Sequence, residues 1–321
     1  MKQEMTAGER PLKDEAPRPN GILVTVCRDP LVITGFVILL ITLIAALLGA
    51  VLTNFVETFD PATVRLTDKL RAPLSAASEV LAENERPWLG VYVLGTDDLG
   101  RDVFSRMLQG ASVSLLVGFV AVGISTVVGI GVGATAGYFS DRRLAGFISV
   151  DTLLMRLTDI FLCFPTFFLV LTVIVLLPQS IYNIMVVIGL TSWMGTARFV
   201  RASFLSLREQ EFVDAARALA LPGWRIMFRH MLPNALGPVM VTASVGVASA
   251  ILTESALSFL GFGVQPPNAT WGNILSDGKN FIFDAPWLFI APGVAIIAVV
   301  LAFNFVGEGL REAVNPRLRR L

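Results

Sequence analysis

The chain has 321 residues, of which 54% are hydrophobic and 16% charged, with a mean hydropathy of +0.70. Too few polar side chains remain to coat a water-soluble globule of that size, so lipid is the solvent for most of the surface. Twenty-five basic residues balance 25 acidic ones, with one histidine, which argues against a polyanion-binding field and against an acidic cation buffer.

A helix needs about 20 apolar residues, rising about 1.5 Å each, to cross a hydrocarbon core of roughly 30 Å. The first such stretch, 31–53, carries no charge. It is too long for the apolar segment of a cleaved signal peptide and follows a polar-rich tail, 1–30, so it reads as a helix of the mature protein. A long loop, 54–111, leads to the second stretch, 112–139. The third covers 159–177, the fourth and weakest 181–197, the fifth 235–262 and the sixth 287–306. The expected fold class is therefore an all-α integral membrane protein with about six transmembrane helices. The two cysteines, Cys27 and Cys163, lie far apart without metal spacing or a disulfide framework.

Short cytoplasmic loops collect Lys and Arg. With the N-terminus inside, 18 of the 25 basic residues fall on the inner side and seven outside, six of them in 54–111. Both termini are then cytoplasmic, which requires an even number of spans and supports counting the weak fourth one. The division that follows is a cytoplasmic tail (1–30), a first helix (31–53), an extracytoplasmic loop (54–111), a five-helix core (112–308) and a second tail (309–321).

Within the second stretch, Gly131 to Ala136 matches the dinucleotide pattern G-x-G-x-x-A, but it sits inside a continuous apolar run instead of at a strand-to-helix turn. Gly129, Gly133 and Gly137 recur every four residues. They line one face and permit close approach of another helix. Two ionisable residues lie at membrane depth. Asp159 is expected to pair with Arg156 one turn earlier; Glu254 serves either a structural or gate-forming hydrogen-bonding role or contact with substrate or protons.

The longest cytoplasmic segment, 198–233, contains a short helical stretch from Glu211 to Leu221 with Ala215 and Ala216 side by side. Pro222 and Gly223 then stop it, and a basic run leads to Leu232-Pro233. Such a helix suits docking into a groove on a cytoplasmic partner or resting in the lipid headgroups; composition alone leaves both open.

Asp214-Ala215-Ala216, then Ala220, then Leu232-Pro233 resemble the EAA loop of binding-protein-dependent ABC importer permeases, with Asp214 in place of Glu, Ala220 in place of Gly and His230 in place of Ile. Because Ala220 weakens the case for a flexible break, Gly223 is expected to supply the turn. The rest of the chain resembles the C-type subunit of the dipeptide, oligopeptide and nickel branch. The matching segments are Leu94-Gly95-Thr96-Asp97-Asp98-Leu99-Gly100-Arg101-Asp102 with Ser105-Arg106, Asp159 with Phe164-Pro165, Glu254 through Gly263 to Gln265-Pro266-Pro267 with Trp271-Gly272, and Phe303-Asn304 through Gly307, Gly309, Leu310 and Arg311 to Asn315-Pro316-Arg317. Ser112 stands where these proteins often carry Arg.

The resemblance implies a type I ABC importer permease fold in a bacterial inner membrane, N-in and C-in, moving peptides or related solutes by alternating access. It also implies a homologous B-type permease subunit, two cytoplasmic ATPases and an extracytoplasmic binding protein. Glu211, Asp214, Ala215, Ala216, Ala220, Leu221 and Gly223 would form the coupling element, with Asp159 and Glu254 as gate or path candidates. No phosphate loop G-x-x-x-x-G-K-[ST] occurs, so ATP and Mg²⁺ are expected on the partner ATPases and no cofactor or nucleic acid on this chain. An ion-gradient transporter is the alternative, but it would usually show internal repeats and midplane ligands. A membrane protease would need a Ser/His/Asp cluster or H-E-x-x-H, which the sequence lacks.

The charge distribution predicts that, in intact cells, an impermeant thiol reagent labels a cysteine placed at Ser78 and leaves one at Ser206 unlabelled; the reverse pattern overturns this orientation.

Overall fold

A computed structural model describes residues 29–82, 86–144 and 147–314. Cys27, most of the 1–30 tail and Asn315-Pro316-Arg317 lie outside them. Helix α1, Pro30–Phe55, starts where the Asp29 carboxylate accepts the Leu31 amide at 2.8 Å and Pro30 occupies the first turn, a position that needs no amide hydrogen.

Residues 57–82 and 86–102 form an outer cap, with two 3₁₀ turns and a two-residue antiparallel pairing of Ser75–Ala76 with Val91–Tyr92. Its centre is the buried Asp68. The carboxylate accepts the Tyr92 hydroxyl at 2.8 Å and the Ser78 amide at 3.0 Å, while the Asp68 carbonyl accepts the Thr96 hydroxyl. Burial, together with the hydrogen bond to Asp68, pushes the Tyr92 phenol well above the usual tyrosine range. At Gly100, where φ is +73°, a Cβ would fall 1.8 Å from the Arg65 carbonyl oxygen, so only glycine fits the turn.

Helix α2, Val103–Tyr138, is capped by Asp102, which accepts the amides of Phe104 and Ser105. Its 36 residues span about 54 Å, well beyond a hydrocarbon core of roughly 30 Å. The sequence placed the start at 112. The helix begins nine residues earlier because Ser105, Arg106 and Gln109 are held by protein, not lipid, and hydropathy registers lipid contact alone. Arg106, 3% exposed, and Arg101 both reach Asp97 and Asp277, with N···O distances from 2.6 to 3.1 Å.

The third span, expected as one helix over 159–177, is two: α3, Val150–Leu162, and α4, Thr166–Leu176, bent by 81°. Pro165 offers no amide hydrogen and disfavours helical geometry at Phe164, which ends α3. Helix α5, Ile181–Leu190, and α6, Trp193–Arg208, run on with a break at Thr191-Ser192. The fourth span therefore reaches Arg208, not 197, and takes in the first part of the expected 198–233 loop. After α7, Glu211–Ala218, a helical turn, Gly223–Arg225, and a π-helical turn, Ile226–Met231, feed directly into α8, Leu232–Phe259. The outer helix α9, Trp271–Gly278, precedes α10, Trp287–Val314, which continues well past the expected 306.

The helix ends fix the number of crossings. Val32 near the start of α1 meets Gly309 near the end of α10, and Gly237 of α8 meets Val314. The end of α2 lies beside the end of α6, through Gly137 and Phe204. Asp151, at the start of α3, grips Arg201 at this same inner end with two hydrogen bonds, while α4 packs with Ile184, Val117 and Val264 toward the opposite side. The bent α3–α4 pair is thus one broken crossing, and the described residues make six.

Helices α2 and α6 run parallel at backbone contact. A Cβ on Gly129, Gly133 or Gly137 would lie 2.6 Å from Thr196 Cβ, 2.4 Å from the Ala197 carbonyl oxygen and 2.6 Å from Phe204 Cβ, whereas one on Gly131 meets nothing within 4 Å. Replacing Gly133 by Leu should cost about 1 to 3 kcal/mol or more through overpacking, while Gly131→Ala should leave stability unchanged or slightly raised. Thermal unfolding of the detergent-solubilised protein checks this; equal losses from both would refute packing through that one face.

Candidate functional site

Two features of the inner half are candidates for function: a groove among the helices and the short helix beneath it. The groove, about 850 Å³, lies between α2, the α5–α6 pair, α8 and α10. Its wall is mostly apolar but carries the hydroxyls of Ser125, Thr126, Ser192, Thr196, Thr242 and Ser249, with Asn304, Glu308 and Arg311 toward the cytoplasmic end. Glu308 and Arg311 pair at 3.5 Å. Hydroxyls in an otherwise apolar wall offer donors and acceptors to a polar solute, with the fixed charges of Glu308 and Arg311 confined to the cytoplasmic end. Sequence reasoning did not find these residues, because a hydroxyl in an apolar helix most often bonds its own backbone, as Thr242 does to the Val239 carbonyl at 2.9 Å.

Glu254 does not line the groove. It lies one turn of α8 beyond Ala250, a lining residue, and is fully buried. Its carboxyl accepts the Ser258 hydroxyl at 2.6 Å and the Ser114 hydroxyl at 3.4 Å, and Ser258 in turn accepts the Val264 amide at 3.3 Å. The carboxyl thus links α2 and α8 to the loop that leaves α8. Asp159 also lies away from the groove. The expected partner was Arg156, but Asp159 pairs with Arg198 at 2.5 Å, both side chains about half exposed. The bend after α3 lays that helix along α6, so the nearest guanidinium belongs to α6 and not to the preceding turn.

Helix α7 lies between the α6 and α8 inner ends. Val213 and Ala216 are buried among Val200 and Phe204 of α6, Ile226, Met227 and Met231 of the turn, and Ala235 of α8. The two neighbouring alanines therefore do different jobs. Ala215 is exposed, whereas Ala216, 4% exposed, faces this chain's own core, so its small size serves the seat of α7 and not a groove on another protein. Phe212, Ala215 and Leu219 are exposed on one stripe, with Leu219 75% exposed, and Trp224 is exposed just beyond. Glu211 and Asp214 are exposed, the latter 3.0 Å from Arg217.

The turn after α7 is made at Ala220. The Leu221 amide bonds the Ala216 carbonyl, the Ala220 amide bonds the Arg217 carbonyl, and Ala220 has φ +54°, which together form a Schellman termination. Leu221 completes it by packing on the α7 core. Gly223, expected at the turn, instead opens the next helix, where a Cβ would fall 3.0 Å from the Tyr138 ring.

Residues 129–320 match the family of binding-protein-dependent transport system inner membrane components. The chain belongs to that family. It is the permease component of an ATP-driven importer, a multi-pass protein of the bacterial inner membrane. Among its relatives is the dipeptide transport system permease protein DppC of Alkalihalophilus pseudofirmus, 39% identical over 254 residues, 79% of this chain and 80% of that one. The oligopeptide transport system permease protein OppC of Haemophilus influenzae is 41% identical over 230 residues, 72% of each chain. A solved chain of the MetNI methionine ABC transporter, in an inward-facing conformation, superposes with a TM-score of 0.53 at 17% identity. It covers 66% of this chain and 98% of that one and shares the type I importer permease fold.

Ala220→Gly should change stability by no more than about 1 kcal/mol, since relief of the left-handed strain is offset by a more flexible unfolded chain. Ala220→Val should lose roughly 2 kcal/mol, because a branched side chain fits that backbone poorly. The thermal midpoints of the two purified variants test this; equal losses would refute the strained turn.

Proposed function

We propose that the groove is this chain's half of a translocation path for peptides or related solutes, and that α7 is the element through which ATPase subunits move it. The observation that carries this is the seat of α7. Val213 and Ala216 pack on Val200, Phe204 and Ala235, so a displacement of α7 acts on α6 and α8, two of the helices that wall the groove. Closely packed elements pass on displacement as rigid bodies. The exposed Phe212, Ala215 and Leu219 stripe would enter a cleft on the ATPase, flanked by Glu211 and Asp214. The peptide cargo rests on the dipeptide and oligopeptide relatives.

A B-type permease subunit would complete the path, and an extracytoplasmic binding protein would deliver the solute. Glu254, bonding α2, α8 and the loop beyond it, would hold the outer end of the path closed. ATP and Mg²⁺ would reside on the ATPase subunits, so the purified chain alone should show background ATP hydrolysis; saturable turnover by it would overturn this part of the reading.

Leu219→Glu and Ala215→Arg should weaken retention of the ATPase subunits by roughly 30- to 150-fold, the range of a lost interface anchor worth about 2 to 3 kcal/mol, with membrane insertion normal. Co-purification of the ATPases and solute-stimulated ATP hydrolysis in vesicles measure it. Full transport by both variants would remove α7 as the coupling element. Ala216→Arg is not a clean probe, because it would disrupt the seat of α7 itself.

A further inference from the structure

A second cavity, about 290 Å³, lies between α1, α2, α9 and α10, on the side of the molecule away from α7. Helix α1 touches its neighbours tightly at two places. A Cβ on Gly35 would lie 2.9 Å from the Ala302 carbonyl oxygen, and one on Gly49 would lie 2.1 Å from the Leu108 carbonyl oxygen. Between these contacts Leu39 and Ala46 keep α1 on the core, while on one side, at Ile38, Ile41, Thr42 and Ala45, a gap remains that forms the crevice. Its floor, Leu108, Ala111 and Trp271, is buried at 8%, 2% and 3% exposure.

Water has nothing to hold it there. The two polar groups of the wall are already engaged: the Thr42 hydroxyl donates to the Ile38 carbonyl at 2.8 Å, and the Trp271 indole N–H donates to the Met107 carbonyl at 3.2 Å. A water molecule needs two to four polar partners, and an apolar cavity lacking them stays dry. The mouth is continuous with the membrane-facing surface. Ile41, a lining residue, is 62% exposed, as are its neighbours Leu40 and Ile44 at 57% and 49%, and Ile297 beside the lining Ala298 is 60% exposed. A gap inside the hydrocarbon layer that admits no water and opens onto lipid offers its dispersion contacts to whatever apolar chain enters from the side.

We infer that this crevice binds one acyl chain of an outer-leaflet phospholipid, held lengthwise between α1 and the α2–α10 pair. The occupant is chosen by chemistry, since the wall is apolar apart from two polar groups already bonded within the protein and the opening faces apolar side chains. The chain would fill the gap beside α1 and fix that helix against the core between its two glycine contacts. This inference is independent of the role proposed for α7.

The test uses the assembled transporter in vesicles containing a phosphatidylcholine with a photoactivatable group midway along one acyl chain, followed by peptide mapping. Adducts on the floor residues Ala111 and Trp271 are expected alongside those on exposed positions such as Leu40 and Leu47. Narrowing the crevice by Ala298→Phe, or from the opposite wall by Ala45→Leu, should reduce floor adducts at least tenfold while adducts on Leu40 and Leu47 persist. The second variant guards against misfolding of the first, and retained transport activity shows that a variant is folded. A floor without lipid adducts in the wild-type complex overturns the inference, as does a floor cross-linked to a protein segment or floor adducts unchanged in both folded variants.

Discussion

The backbone contact between α2 and α6 is the constraint on which the inner half depends. Two helices with side chains between them have room to slide, but Gly129, Gly133 and Gly137 bring α2 against the α6 backbone, and at that distance the register is set by shape. In lipid the hydrophobic effect gives no preference for helix over solvent, so close dispersion contact takes its place. With α6 fixed, Phe204 and Val200 present the surface on which Val213 and Ala216 seat α7. The same α6 carries Arg198 and Arg201, which hold α3 through Asp159 and Asp151.

The outer half is built on a different principle. There the chain leaves the lipid, and polar groups are buried: Asp68 under Tyr92 and Thr96, and Asp97 between the guanidinium groups of Arg101 and Arg106, which also reach the partly exposed Asp277. Burying charge is costly unless each partner is fully bonded, and here both guanidinium groups touch both carboxylates. Burial, with Asp97 and Asp277 close by, pushes the neighbouring Asp98 carboxyl above the usual carboxylate range. The network ties the start of α2 to α9, so the cap and the membrane bundle meet through ions, whereas the inner half meets through glycines. Of the six basic residues that the outer loop contributes, Arg101 and Arg106 are locked in this network, which explains why an outer segment can carry them without reversing the orientation.

Between the halves, the broken α3–α4 crossing lies outside the groove and packs against α5 and α6, which wall it. Pro165 stops α3, and the resulting turn lets α3 lie along α6 at the inner end while α4 packs with α5 further out. Asp159 and Arg156 stay one turn apart within α3, and it is the way α3 lies against α6 that brings Arg198, 39 residues away in sequence, to Asp159.

The sequence by itself determined the fold class, the number of crossings, the family and the glycine face of α2, because these depend on apolar length, on local spacing and on motif order. It also located the α7 segment between Glu211 and Leu221. Tertiary structure alone decided the rest. Hydropathy reports contact with lipid, so it missed the first nine residues of α2, which are largely covered by protein, and the helical stretch leading into α8, where buried Ile226, Met227 and Met231 alternate with exposed Trp224, Arg225, Phe228 and Arg229. Ala215 and Ala216 are indistinguishable as letters, and only the position of α6 makes one a buried seat and the other an exposed surface. Ala220 in place of Gly weakens the case for a break in the sequence, yet the hydrogen bonds of the Schellman termination and the packing of Leu221 together offset a left-handed cost of about 1 to 2 kcal/mol. The groove hydroxyls were illegible for the same reason: what makes Ser125, Thr196 and Thr242 a wall is that three separate helices, α2, α6 and α8, turn them toward one space, and no local pattern encodes that convergence.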